Sequence, residues 1–208
     1  SDVNGGALVD WVGSGNDGHV TTWYDQSGNG NNATQSTASS QPKIVDGGAL
    51  VSDGIKFDGV DDFFNFTNGL NFYNNPCSLF ATCGVSDAPL LGNDNNRRVV
   101  FDSNEMYFYL TGLAQDFDHN QAPLSGLNQF SVIHNGTSTS PNSSAYLNSV
   151  ENDPTIISGG SALANDSTNF IGKNTGVPSL SYASFISEII IYDSDQSANR
   201  AAIETNIN

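Results

Sequence analysis

The sequence predicts an all-β fold: two antiparallel sheets packed face to face, read as one domain over 1–208, with a short helix near each terminus. Three observations carry this. Short runs rich in Val, Ile, Phe, Tyr and Thr recur at intervals of about 8–12 residues. Gly, Asn, Asp and Ser separate them, residues that take positive φ or bond their own backbone in turns. The longest runs alternate with the period of two that sends one face into a core, as in Cys77, Leu79, Ala81 and Cys83 against Ser78, Phe80 and Thr82.

Taken in order, residues 5–13 (GGALVDWVG) place Leu8, Trp11 and Val12 at helical spacing between glycines, which predicts one short helix. Residues 20–24 are β-branched and aromatic and read as a strand. It stops in DQSGNGNN (25–32), where Gly28 and Gly30 accept positive φ and the Asp and Asn side chains bond nearby backbone. Strands are expected at 43–45, 49–52 and 55–58, and the turn 59–61 leads into 62–66. Further strands are expected at 77–84, 89–92, 97–102 and 106–111, and 112–126 reads as the longest polar loop. They resume at 129–134, 144–149, 168–172 and 183–193. In the last, Phe185, Ile189 and Ile191 share one face and Ile186, Glu188, Ile190 and Tyr192 the other. Residues 195–207 read as a helix with Asp195 as its N-cap and Ile203 and Ile207 on one side. Trp23, Phe57, Ile189 and Ile191 are the expected core anchors.

The stretch WYDQSGNGNNATQ (23–35), followed by QPKIV (41–45), IKFDGVDDFFNF (55–66), SVIHNG (131–136), AYLNSV (145–150), NFIGK (169–173) and FISEIIIYDSDQS (185–197), resembles the laminin-G-like branch of the concanavalin A-like lectin/glucanase superfamily. More narrowly, it is similar to the jelly-roll modules of secreted B-type α-L-arabinofuranosidases and of marine phage structural proteins. The similarity runs over nearly the whole chain. It implies a two-sheet antiparallel jelly roll exposed on an extracellular or virion surface. It implies little about activity, because that fold hosts lectins, hydrolases and inert spacers alike. Relatives of this kind carry an earlier strand, so the start at Ser1-Asp2-Val3 reads as that of an excised or processed fragment.

Charge narrows the function classes. With 6 Lys and Arg against 22 Asp and Glu, the net charge of −16 repels nucleic acid and anionic membranes. No apolar run is long enough to span a bilayer, so no membrane insertion is expected. Neutral glycans and divalent cations remain as partners, together with other virion proteins where the phage resemblance holds. Cys77 and Cys83 share one predicted strand, roughly 20 Å apart at 3.3 Å per residue. A disulfide spans about 7 Å at most between Cα atoms, so both thiols are expected to be unpaired and buried.

Several polar groups are candidates for chemistry. Asp25, Asn29 and Asn31 offer oxygens of the kind calcium takes, although one carboxylate is thin for a site and Asp25 capping its own turn is the simpler reading. Turn chemistry also accounts for Asp58, Asp61 and Asp62 in FDGVDD, and Asp94 among its asparagines is a polar loop tip. Asp116 and Asp118 stand two apart with His119 beside them. With Tyr107 and Tyr109 as stacking rings they form the candidate sugar site, set against an acidic loop and core aromatics. Trp23 and Tyr24 are weighed in the same way. A glycosidase needs two carboxylates about 5–9.5 Å apart across the bond. The chain has only Glu105, Glu151, Glu188 and Glu204 and lacks the E-x-D-x-(x)-E strand that the superfamily's glucanases present. The arabinofuranosidases' vicinal cysteine pair is absent as well, and no nucleophile elbow accompanies His19, His119 or His134. The expected function is therefore non-catalytic glycan binding or adhesion, requiring no cofactor, with calcium as the one ion to test. A structural decoration or spacer domain is the alternative, and a degenerate arabinofuranosidase-like glycoside hydrolase is the third.

Overall fold

Alternating strands bury one face each, and two sheets are needed to cover those faces. The computed structural model describes residues 5–66, 76–93, 98–102, 105–110, 113–118, 124–135, 143–152, 154–159, 169–175 and 180–207. The first sheet runs Gly18–His19, Lys43–Asp46, Ile55–Lys56, Phe185–Tyr192, Pro76–Gly84, Leu127–Asn135, Ser143–Leu147, Val150–Asn152, with Ala49–Leu50 beside Lys43–Asp46. The second runs Pro154–Gly159, Leu113–Asp118, Glu105–Leu110, Arg98–Phe101, Ser86–Gly92, Phe170–Ile171, Phe64–Asn65, Ala33–Thr34, Thr22–Trp23. A small ribbon pairs Lys173–Asn174 with Leu180–Ser181. Neighbouring strands are antiparallel in both sheets.

The core lies between the sheets. Cys77, Leu79, Ala81 and Cys83 face it from the first sheet, as their alternation predicts, and Phe64, Leu91, Val99 and Phe101 face it from the second. Phe101 stacks on Phe130 across the interface with ring centres 4.1 Å apart. Each buried Leu, Val or Phe among them contributes about 1.5–3 kcal/mol by leaving water. Both cysteines are free and buried. Tyr182, fully buried, donates its hydroxyl to the Gly84 carbonyl and meets Phe57 edge-on.

The C-terminal helix Arg200–Asn206 covers the other side of the first sheet. Ser131 and Phe80 point away from the core there. The Ser131 hydroxyl donates to Glu204 Oε1 at 2.5 Å, and the Arg200 guanidinium binds Glu204 Oε2 at 2.5 Å while lying 3.9 Å over the Tyr146 ring. Burying Glu204 is tolerated because both its oxygens have partners.

Several expectations need correction. The strand expected over 20–24 is a corner between sheets: Gly18–His19 pairs with Lys43–Asp46 in the first sheet, and Thr22–Trp23 pairs with Ala33–Thr34 in the second. A chain crossing between packed sheets must break its ladder, so a β-rich run need not be one strand. Tyr24 lies just past that corner and is 65% exposed, not core. Ile191 is also not core, at 39% exposed. A bulge between Ile186 and Glu188 resets the alternation, and Ile55–Lys56 covers only Phe185 and Ile186, leaving the later part of the strand uncovered on that side among the described residues. Phe57 is buried, Ile189 packs against the core half-buried, and so does Trp23, whose ring lies 6.2 Å from that of Phe64.

The expected N-terminal helix forms at Gly5–Val12, but Trp11 is 83% exposed. The expected loop 112–126 contains the strand Leu113–Asp118, paired on both sides. Its polar side chains hid it, since strand formation there is driven by pairing rather than by an apolar face. The last helix starts at Arg200 with Asn199 as its N-cap position. Asp195 instead closes a turn, Oδ1 accepting the Ser197 N–H at 2.8 Å.

Candidate functional site

Three polar regions compete for the role of site, and they differ in what their side chains already hold. In the turn 25–32, Asp25 is committed to its own loop. Its Oδ1 accepts the Ser27 N–H at 2.7 Å, and its Oδ2 accepts the Ser27 hydroxyl at 2.8 Å and the Asn31 N–H at 2.9 Å. These donors hold its pKa below the usual carboxylate value, the Ser27 hydroxyl foremost. Asn32 Oδ1 returns the favour by accepting the Asp25 N–H at 2.9 Å, and the Asn29 N–H donates to the Ser27 hydroxyl at 3.2 Å. Gly28 and Gly30, at φ of 84° and 77°, make the tight path available. Asp25, Asn29 and Asn31 thus share one loop, in which Asp25 holds the Asn31 N–H and the Asn29 N–H is held by Ser27.

The second region is the hairpin 58–62. Asp58, Asp61 and Asp62 bring a carboxylate oxygen each to within 4.8 Å of one another. The turn again uses them: Asp58 Oδ1 accepts the Val60 N–H at 2.8 Å and the Asp61 N–H at 3.2 Å, Asp62 Oδ2 accepts the Asp58 N–H at 2.9 Å, and Asp61 Oδ2 accepts the Ser40 hydroxyl at 2.8 Å. Asp62 is 5% exposed, and its pKa is pushed up to about 6 by burial and by the Asp58 charge beside it. This hairpin and the turn 25–32 do not meet. Trp23 pairs with Ala33 and Thr34 with Asn65, so one turn lies past the Phe66 end of these strands and the other past the Phe63 end.

The third region is the outer face of the second sheet. Along one register row, Arg98 pairs with Gly92, Gly92 with Phe170, Phe170 with Asn65, Asn65 with Thr34, and Thr34 with Thr22. The adjoining residues Val99, Leu91, Ile171, Phe64 and Ala33 turn into the core, so this row points outward. Asn65 and Thr34 are exposed, Thr22 is half-exposed, and exposed Tyr24 follows directly after the edge strand. The hydroxyls of Thr22, Thr34 and Tyr24 and the amide of Asn65 make no hydrogen bond to another described residue. Cross-strand neighbours stand about 4.5–5.5 Å apart, so three adjacent strands carry a polar row roughly 10 Å long.

A wall bounds this row. Gly172, at φ 84°, turns the chain outward, and the ribbon Lys173–Asn174 crosses over Gly92 so closely that a Cβ there would lie 2.2 Å from the Lys173 carbonyl oxygen. Only glycine fits beneath it. At the foot of the wall Phe63 and Phe170 meet edge-on at 5.7 Å, and the Lys173 ammonium lies 4.0 Å from the Phe63 ring centre.

The sequence-derived sugar residues fall in the same sheet. Tyr107 is directly opposite Asp116, Tyr109 is opposite Arg98 and so joins the register row, and Asp118 is opposite Glu105. His119 lies outside the described residues. Sequence reading missed Thr22, Thr34, Asn65 and Phe170 because each is an ordinary surface or loop-edge residue until pairing aligns them.

A two-sheet antiparallel β-sandwich with one polar outer face is therefore the class that fold and geometry define. No family model matches the chain, and no curated protein matches it. Among solved structures the chain is similar to a GH54 α-L-arabinofuranosidase soaked with a cyclic sulfate inhibitor, at a TM-score of 0.51 and 13% identity, covering 97% of this chain and 53% of that one. The chain spans about half the length of that enzyme, and at this identity the likeness concerns the fold alone.

Proposed function

We propose that this protein is a non-catalytic carbohydrate-binding module acting in recognition or adhesion at an extracellular surface, with the outer face of the second sheet as its platform. The observation that supports it is the row Thr22, Thr34 and Asn65 beside Tyr24: polar groups without partners among the described residues, next to an exposed ring. A sugar offers the complement, hydroxyls for the polar groups and a C–H face for the ring. Among the described side chains, the carboxylates that gather in a group of three are those of the hairpin 58–62, which hold its own turn, and no catalytic role is proposed for them. The finer assignment, a fibre or decoration protein of a phage particle, rests on the motif resemblance and carries other virion proteins as partners. A spacer role touching only protein neighbours is the second reading. It is favoured by the way both acidic turns satisfy themselves.

A glycan array probed with the purified protein, with and without calcium, tests the proposal. Binding that Tyr24→Ala or Thr34→Val abolishes supports it. An array without binding, or binding indifferent to both variants, moves the assignment to the spacer reading.

A further inference from the structure

Positive charge is scarce in this chain, with 6 Lys and Arg in 208 residues, so where it is placed carries information. Lys43 is held by Asp17 at 2.7 Å and Asp46 at 3.1 Å, Lys56 by Asp46 at 2.5 Å, and Arg200 by Glu204 at 2.5 Å. Lys173 differs. Its ammonium makes no ion pair and no hydrogen bond to a described residue, and rests 4.0 Å over Phe63 and 5.9 Å from the centre of Phe170.

Packing alone does not call for lysine here. A methionine or leucine would cover the two rings without bringing a charge to a half-buried place, and the ring contact returns only about 0.5–2 kcal/mol. An ammonium keeps three N–H donors, and the rings accept none of them in the ordinary sense. Those donors stand beside the polar row, since the ammonium rests over Phe63, two residues before Asn65, and near Phe170, the direct neighbour of Asn65. A ligand lying along Thr22, Thr34 and Asn65 therefore meets a cation.

We infer that the ligand of this face is an acidic glycan, whose carboxylate or sulfate is read by Lys173. This rests on the platform reading above and extends it to a ligand class. Charge-assisted hydrogen bonds are roughly twice as strong as neutral ones, and aromatic walls that exclude water strengthen them further. The protein's net charge of −16 opposes any polyanion at long range. Salt at 0.15 M reduces that reach to about 8 Å, so the ammonium in contact with the anion decides the outcome. Binding is accordingly weaker at 10 mM salt than at 0.15 M, the reverse of the usual behaviour of a basic site.

Calorimetry at 0.15 M salt with three oligosaccharide probes tests this: an oligogalacturonate for the carboxylate, a sulfated galactan oligosaccharide for the sulfate ester, and the desulfated galactan as the neutral control. The expected result is at least tenfold tighter binding of one or both acidic probes than of the neutral one. The acidic probe that binds identifies the group read. Lys173→Met, which keeps the stem over the rings, should bring acidic binding down to the neutral level with an unchanged melting temperature, and Lys173→Arg should retain it. Equal binding of acidic and neutral probes, or full acidic binding by Lys173→Met, overturns the inference and leaves the platform reading intact. Binding of none of the three, with an array that is also blank, overturns both. The wild-type comparison of sulfated with desulfated galactan needs no variant and decides the matter if Lys173→Met does not fold.

Discussion

Replacing Asp62 by asparagine should make this protein more stable at neutral pH. Asp62 is 5% exposed and lies beside Asp58, and burial followed by that like charge raises its pKa to about 6. A carboxyl whose native pKa exceeds its unfolded value binds an extra proton in the folded state between about pH 4 and 6. Its stabilising contribution is thus complete below pH 4, declines as pH rises through 6, and is gone above that. A shift of about two pH units corresponds to about 3 kcal/mol at 1.36 kcal/mol per unit. Asparagine has the same shape and keeps an oxygen for the Asp58 N–H, now bound to Asp62 Oδ2 at 2.9 Å, while carrying no charge. Urea unfolding from pH 4 to 8 should show wild type and Asp62→Asn with equal stability near pH 4. The variant should lead by about 2–3 kcal/mol at pH 8, the gap opening between 4 and 6. Asp17, Asp25 and Asp46, whose pKa values are lowered by their hydrogen-bond partners, act with the opposite sign below pH 4 and cancel in the difference. A variant that is less stable than wild type at pH 8 would refute the reasoning, showing that the charge-assisted bond to Asp58 outweighs desolvation.

Three further outcomes are expected. Trp23→Ala should cost about 3 kcal/mol, the low end for losing a large aromatic, because the ring contacts Phe64 but stays half-exposed; an unchanged denaturant midpoint would contradict its packing. Cys77 and Cys83 should react with a thiol reagent only after unfolding, since burial raises both thiols, Cys83 to about 12; labelling of the native protein within minutes would refute this. Thermal melts in chelator and in millimolar calcium, at matched ionic strength, should superimpose, because the oxygens of 25–32 and 58–62 hold their own turns at opposite strand ends. Ion binding at a hundredfold excess over its dissociation constant would add about 2.7 kcal/mol, an easily seen rise.

Much of this architecture can be read from local pattern. The alternation of Cys77, Leu79, Ala81 and Cys83 identifies both the strand and the face it buries, because period two is a property of the strand itself. The turn chemistry of 25–32 and 58–62 is equally local: an aspartate at the head of each turn accepts the backbone N–H two residues on. Failures occur where a distant partner decides. Val20, Thr21 and Tyr24 have the right side chains for a strand, yet the ladder breaks among them because Gly18–His19 and Thr22–Trp23 belong to different sheets. Ile191 has the right side chain for a core, yet only two residues of Ile55–Lys56 flank its strand, and they stop short of it.

The platform belongs to the second kind, and this explains why its chemistry is invisible in one dimension. Thr22, Thr34, Asn65 and Phe170 come from four separate stretches, each too short for any spacing rule to join. None is unusual alone; an exposed threonine on a strand is what β-propensity favours. What distinguishes them is the contrast with the rest of the polar groups. The seam between the sheets is closely bonded: the Gln35 side chain donates to the Phe63 carbonyl at 3.1 Å, that of Gln41 to the Gln35 carbonyl at 2.8 Å, and His19 Nδ1 meets the Gln41 carbonyl at 2.8 Å. The amides of this seam and the acidic turns are bonded, whereas a row of hydroxyls, an amide and one ammonium on a single face have no described partner and are available to a ligand. The same contrast explains the glycine at position 92. Side chains line the row on either side of it, and its own absence of one lets the ribbon bring Lys173 across to Phe63, so the cation and the polar row are placed together by a residue that touches no ligand.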